Sequence, residues 1–578
     1  MTPDLTRLVS VARGDESADL ILADARVVNV FTGEIIRADV AVAGGFIAAV
    51  GDYNNAETIK NLNGAFVVPG LIDAHMHMES SMLPPPQFVR LAVPHGTTSV
   101  IIDPHEIANV LGSAGVRFMI EASQGLPLGV HVAVPSCVPA TDMETAGAAL
   151  TADDIADLMK LDEVVSLGEM MNFPGVVFAV PDVINKVKVG LSKRVDGHCP
   201  GLTGKHLQAY ISAGISNDHE STTLEEAREK LRSGLKVFIR EGTAAKNLEA
   251  LLPLLTPENK HRFCFCTDDR HPRDIQTEGH IDHIIRKAVK LGLDPVIAVQ
   301  VASHFPAVHF GLARKGAVAA GYRADILVVD DLREFNIKQV YNAGRLVAEN
   351  GEYLGGSGTD DIRPPVNTVH LPKSLSESSF VVKCPENAGK IRVIGMQLHQ
   401  LTTTELIEKP TVADGCIVAD VRRDILKLAV IERHKATGNI GLGFIHGFGI
   451  KHGALGSTVG HDSHNMTIIG TNDSDMLLAA RALAEAGGGQ VVVKDGEVLA
   501  IMPLPIAGLM SDAPAETLIQ QQTELYRAYR SLESDVDDPF MTLSFMPLAV
   551  IPKLKLTDRG LVDVEKFDFV PLAAGDAH

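Results

Sequence analysis

Two histidines one residue apart, His75 and His77 in the run IDAHMH, are the densest metal-binding signal in this chain of 578 residues. In an extended segment alternate side chains share a face, so both imidazoles project together and can chelate one divalent ion. Single candidates follow at wide intervals: Glu169 in SLGEMM, His198 in VDGHCP, His219 in SNDHES and Asp268 in CTDD. Further polar groups stand at comparable places, namely Asp103, His105 and Glu106 in IIDPHE, Ser136, and Arg240 with Glu241. A lone strand-end histidine is more often a hydrogen-bonded structural group than a ligand. An H-x-H followed by Glu, His, His and Asp, each closing its own apolar run, is a metal-binding pattern. Imidazole and carboxylate donors without thiolates suit Mn2+, Fe2+ or Zn2+, and spacing does not choose among them.

The elements that must carry these residues are short apolar segments: FVVPGLIDAHMH, TTSVIIDPHE, GVHVAVPSC, EVVSLGEMM, KRVDGHCPG, ISNDHES, LKVFIREGT and HRFCFCTDD. Between them lie helical stretches such as TADDIADLMKL and TLEEAREKLRSG, several opened by a Thr suited to N-capping. Strand and helix alternating in this way predict an α/β fold of the (β/α)8 TIM-barrel type, whose chemistry sits at the C-terminal ends of the strands. A doubly wound open sheet would carry G-x-G-x-x-G after its first strand, and this chain does not. In the second segment, continued strand would put Asp103 and His105 on one face and Glu106 on the other.

Residues 1–65 read as a short helix and the first part of a β-sandwich, 66–313 as the barrel, and 314–360 as the sandwich's second part. Residues 355–379, rich in Gly, Pro and Ser, read as a linker, and 380–578 as an additional C-terminal α+β domain with a hairpin turn at Asp495-Gly496. Within that domain His446, His452, His461 and His464 cluster in a glycine-rich region. The favoured reading is a loop whose polar groups satisfy one another; the alternatives are a second metal site or a loop reaching the catalytic mouth.

Composition narrows the partners. Lys and Arg total 52 against 72 Asp and Glu, a net charge of −20, which argues against binding a nucleic-acid backbone. A hydrophobic content of 46% excludes general disorder. The opening MTPDLTRLVSVARGDES lacks a basic head and apolar run, and no apolar stretch is long enough to span a bilayer, so neither export nor membrane binding is expected. Six cysteines without a C-x-x-C pair read as reduced thiols of a cytoplasmic protein.

VPGLIDAHMH, the single histidines of the fifth and sixth strands, the aspartate of the eighth and KGAVAAGYRADILVVD beyond the barrel resemble the amidohydrolase superfamily over roughly residues 19–355. Within it, HMHMESSM, IIDPHE, SLGEMMNFPGV, GHCPGLTG, NDHES and CTDDRHP, together with VGHDSHN and PLPIAGLMSD nearer the C-terminus, are similar to the adenine deaminase family. The resemblance implies two metals per chain, Mn2+ favoured over Fe2+ or Zn2+. His75, His77 and Asp268 would hold the first, His198 and His219 the second, and Glu169 would bridge them. Many relatives bridge with a carboxylated lysine at that strand end; here the nearest preceding lysine is Lys160. The resemblance further implies deamination of adenine to hypoxanthine in purine salvage, by a metal-activated hydroxide attacking C6, with Asp268 shuttling protons. Asp103, His105 and Glu106 are then candidates for protonating or orienting the purine, or for supporting His75 and His77. Glu79 and Ser136 are further substrate-binding candidates. A homodimer is the default assembly. The competing readings are a cyclic-amide hydrolase of the same superfamily and a non-catalytic scaffold. The zinc deaminases that pair H-x-E with P-C-x-x-C are excluded, because no P-C-x-x-C occurs.

Overall fold

The computed structural model describes residues 2–356, 362–384, 389–398 and 400–574. Eight short strands form its centre: Leu71–Met76 (β1), Thr97–Ile102 (β2), Gly129–Val134 (β3), Val164–Met170 (β4), Val195–Gly197 (β5), Asn217–Asp218 (β6), Lys236–Arg240 (β7) and Phe263–Cys266 (β8). β1 to β5 make one parallel sheet and β6 to β8 another. Parallel bridges Val195 to Ile215 and Met76 to Asp268 join the two into a closed barrel. Every residue of β1, β2 and β8 is buried, as expected for parallel strands covered on both faces. Two of the covering helices are capped by an anticipated threonine side chain; Thr203 holds the cap position of Gly204–Ser212 without a side-chain bond. Thr151 and Asp154 form a reciprocal capping box, and the Thr223 hydroxyl accepts from the Glu226 N–H.

Two expected strands end differently. The first divides at Gly70: Phe66–Pro69 pairs with Ile326–Val329 in the flanking sheet, and only Leu71–Met76 enters the barrel. A Cβ at Gly70 would lie 2.1 Å from Thr98 Oγ1, so only glycine lets the chain pass there. The second ends at Ile102, where Pro104, lacking an N–H, stops the ladder and precedes the helix His105–Leu111. His105 and Glu106 therefore sit in a first helical turn, and the strand-face alternation expected for them does not apply.

As expected, strands from both flanks of the barrel join in one composite β unit of nine hydrogen-bonded strands. Within it Leu22, Val27, Val40 and Val42 face one core, while Ile21, Ala41 and Ala43 face the helix Leu5–Ala12. The C-terminal unit is built on a second nine-stranded sheet with the helix Asp473–Glu485 packed against it, and the Asp495-Gly496 turn joins Gly489–Lys494 to Glu497–Pro503. Of the proposed linker, 357–361 lie outside the described residues. The remainder is fastened down: Ala507 N donates to Pro365 O at 2.8 Å, and His370 N to Arg433 O at 2.7 Å. The C-terminal unit in turn docks on the barrel, through Thr557 Oγ1 to Met143 O (2.7 Å) and Thr145 N to Asp558 Oδ1 (2.9 Å).

Beneath the ends of β5 and β6, the fully buried Lys230 ammonium donates to Asp218 Oδ2 (2.8 Å), Glu226 Oε1 (2.7 Å) and Cys199 O (2.7 Å). Burial alone would raise the Asp218 carboxyl, but Lys230 and His219 hold it well below its ordinary range. Asp218 and Cys199 flank His219 and His198 in sequence, so this ion cluster fixes two site residues. Replacing Lys230 with Met strands a buried carboxylate and should cost about 3–5 kcal/mol, read as a lower urea midpoint.

Candidate metal and catalytic site

The seam between β1 and β8 sets the first half of the site. Asp268 N donates to His75 O at 3.0 Å, and His77 N donates to Asp268 O at 3.1 Å. Asp268 adopts φ 59°, a left-handed conformation that aspartate holds more readily than most non-glycine residues. Its Oδ1 then lies 3.4 Å from His75 Nε2 and 3.1 Å from His77 Nε2.

Glu169, from the end of β4, occupies the centre. Its Oε1 lies 3.2 Å from His77 Nε2, 4.0 Å from His75 Nε2 and 3.3 Å from His105 Nδ1. Its Oε2 lies 2.6 Å from His198 Nδ1 and 3.1 Å from His219 Nε2. One carboxylate thus faces two pairs of imidazoles from opposite sides of the barrel. Opposite it, Arg240 from β7 donates to Asp268 Oδ2 at 2.6 Å and is paired with Glu220, which itself lies 3.4 Å from His219 Nε2.

Charge in this cluster is strongly displaced. Burial would lower the His77 imidazole, yet Asp268 and Glu169 hold it well above its ordinary value. His219 is likewise pushed up to about 9 by Glu169 and Asp268 against burial. Against its own burial, Glu169 is held well below the carboxylate range by His198, His219 and His77, and Asp268 by Arg240, His75 and His77. A field that draws protons onto imidazoles also draws a divalent cation. Ligand atoms of His75, His77 and Glu169, of His75, His219 and Asp268, and of Glu169, His198 and His219 cluster within 4.8 Å of one another. Buried His75 Nε2 has no hydrogen-bond partner, and the donor set is imidazole and carboxylate throughout. The residues fit a divalent metal centre.

The remaining candidates divide. His105 and Glu106 line the same small pocket as His77, Glu169, His198 and Asp268. Asp103, Ser136 and Glu79, expected as substrate-binding residues, are not on its wall. Each makes a hydrogen bond to the frame, while Glu79 Oε2 and Asp103 Oδ1 are buried without a partner. Asp103 Oδ2 accepts from Glu169 N at 2.8 Å, an approach that Gly168 allows because a Cβ there would lie 2.1 Å from that oxygen. Ser136 Oγ donates to Glu169 O at 2.6 Å, and Glu79 Oε1 accepts from Ile107 N at 3.1 Å.

The glycine-rich C-terminal loop is not self-contained, contrary to the favoured sequence reading. His461 Nδ1 lies 2.6 Å from Glu106 Oε1 as an ion pair, and His464 Nε2 pairs with Glu106 Oε2. His461 stacks on Phe545, and both it and Asp462 line the pocket. Glu220, Arg240 and Asp462 are site residues that sequence reasoning missed or left without a role. Arg240 stood out as a strand-end charge, but no local pattern announced its partners. A cavity of about 1140 Å3 opens above the pocket between barrel and C-terminal unit, sharing Met171, Glu220, Arg240, Leu401, Phe545 and Ile551 with it.

Leu401 and Phe545 are held by a buried cation. Lys555 Nζ donates to both main-chain oxygens at 2.9 Å, and burial pushes its ammonium down to about 7. Below pH 7 both folded and unfolded chains carry this proton, and folding bears the full penalty. From about pH 7 to about 10.4, the ordinary lysine value, only the unfolded chain keeps it, so stability from this group rises with pH. Lys555→Met should therefore lack a rise of about 1.4 kcal/mol per pH unit that the native chain shows in that window, measured by urea unfolding at pH 7 and pH 9.

Two family models match the chain: the amidohydrolase family over residues 66–347 and the adenine deaminase C-terminal domain over 400–568. The chain is 48% identical over 568 residues to adenine deaminase of Desulfatibacillum aliphaticivorans, covering 98% of this chain and 99% of that one. It is 48% identical over 567 residues to adenine deaminase 2 of Carboxydothermus hydrogenoformans, at 98% and 99% coverage. With adenine deaminase of Dehalococcoides mccartyi it shares 46% identity over 578 residues, at 99% and 100% coverage. With 98–99% of the chain matched by relatives at 46–48% identity, the chain belongs to the adenine deaminase family of the amidohydrolase superfamily.

Proposed function

We propose that this protein is an aminohydrolase that converts adenine and water to hypoxanthine and ammonia. The observation that carries the reading is the full-length match to proteins named adenine deaminase, at 48% identity over 568 residues. The clustered histidines and carboxylates of the pocket supply chemistry of the required kind. His75, His77 and Asp268 would hold one divalent ion, His198 and His219 a second, with Glu169 between them. The donor set suits Mn2+, Fe2+ or Zn2+, and the family resemblance favours Mn2+. When bound, such ions lower the pKa of water from about 15.7 toward about 7.

The chain's own residues do the rest. Asp268, within reach of His75, His77 and Arg240, takes the proton of the attacking water and returns it to the departing exocyclic nitrogen. Arg240 restrains the carboxylate through Oδ2 and leaves Oδ1 toward the imidazoles. His105 and Glu106, on the pocket wall, orient the ring and supply the proton that N1 needs as aromaticity is lost, and regain one when the C6 hydroxyl gives up its proton on becoming the carbonyl. Asp103 and Ser136 hold the Glu169 main chain, and Glu79 holds the helix that bears His105. The cyclic-amide alternative is not favoured, since the full-length relatives are named for adenine deamination. A place in cytoplasmic purine salvage is in keeping with the buried thiols Cys137, Cys199, Cys264 and Cys266.

Purified protein stripped of metal and reloaded with Mn2+ should release ammonia from adenine. Turnover of dihydrouracil or hydantoin with none of adenine would overturn the assignment. Asp268→Asn should reduce kcat by about 10²–10⁴-fold while the circular dichroism spectrum is unchanged. Chelation should also lower the melting temperature, and about two equivalents of Mn2+ should restore it, because a ligand bound only by the folded state stabilises that state.

A further inference from the structure

Among the charged residues of the catalytic pocket that the roles above leave unused is Asp462. Asp462 comes from the C-terminal unit, is 2% exposed and lines the pocket beside His105 and Glu106. Its Oδ1 lies 3.9 Å from His105 Nε2 and 3.8 Å from His461 Nδ1. Its Oδ2 is buried and makes no hydrogen bond within the protein. A buried carboxylate oxygen left in that state is costly, and the missing partner is a donor. The neighbours are rigid: His461 is held by Glu106 at 2.6 Å and stacked on Phe545 at 4.5 Å, so Asp462 is presented from a fixed loop.

Position decides which donor. The His105 ring stands between the two ends of the pocket, with Nδ1 3.3 Å from Glu169 Oε1 and Nε2 3.9 Å from Asp462 Oδ1. A purine whose C6 and amine face the Glu169–Asp268 end has its imidazole half toward Asp462. Adenine carries N–H groups only on the exocyclic amine and on that imidazole half. We propose that Asp462 is a substrate-recognition residue that accepts the imidazole N–H of the free base, so that the C-terminal unit selects bases over their N9-substituted forms. The assignment rests on the adenine deaminase reading. It gives the C-terminal loop a specificity role, because an N9 substituent removes the donor and places bulk against a buried charge.

Asp462→Asn and Asp462→Ala, compared with the native metal-loaded enzyme, test it on adenine and 9-methyladenine, with melting temperature and metal content recorded for each. The expected result is a kcat/KM for adenine lowered about 10–100-fold, mainly through KM, with fold and metal content kept. The preference for adenine over 9-methyladenine should shrink by a similar factor. Native enzyme active on adenine, with both variants keeping the native KM and the native preference, would overturn the proposal alone. Loss of fold or metal in both variants would make Asp462 a structural residue and overturn it as well. A native enzyme inactive on adenine would overturn the functional reading on which the proposal stands.

Discussion

The contact on which the site depends is the one between Glu169 and the imidazoles around it. His77 and His105 meet one oxygen and His198 and His219 the other. A carboxylate buried among apolar strands is unstable unless charge of opposite sign meets it, and here that charge arrives from β1, the β2 loop, β5 and β6 together. Each of those chain segments must therefore end at the same height in the barrel. Gly168, Asp103 and Ser136 make sense in this light, as they fix the main chain on both sides of Glu169 and leave its carboxylate to the imidazoles.

Residues near one another in sequence were legible as a site, and residues joined only by the fold were not. The eight strand segments, and the ligand-type residues that close five of them, follow from alternation and apolar runs, both local properties. The break at Pro104 is local too, yet a continuous strand through His105 was the simpler reading, because a proline after an apolar run does not reveal how far beyond it the ladder extends. Glu106 meets His464 across 358 positions, a pairing for which no pattern in either segment calls. The same holds for Arg240 and Glu220, whose bond bridges two strand ends that look independent in the sequence.

The C-terminal unit is joined to the barrel in two distinct ways. Polar contacts such as Thr557 to Met143 and Asn465 Nδ2 to Thr145 O fix it on the barrel rim. Buried charges do more. Glu106 is held well below its ordinary range, against burial, by His461, His464 and His105, so one barrel carboxylate is neutralised from both units. Removing either unit leaves buried charge of one sign facing solvent or cavity, which ties the two into one cooperative structure.

The barrel seam has a bearing on how the protein is made. His75 and His77 leave the ribosome with β1, long before β8 supplies Asp268, and the hydrogen bonds that close the barrel are the ones that place this carboxylate against the two rings. A nascent chain therefore offers an early metal only an open histidine pair that any divalent ion can visit and leave. The full donor set comes together only when the last strand docks. All eight barrel strands precede the C-terminal unit in the chain, so the seam that places Asp268 can close while the second half of the protein is still being made.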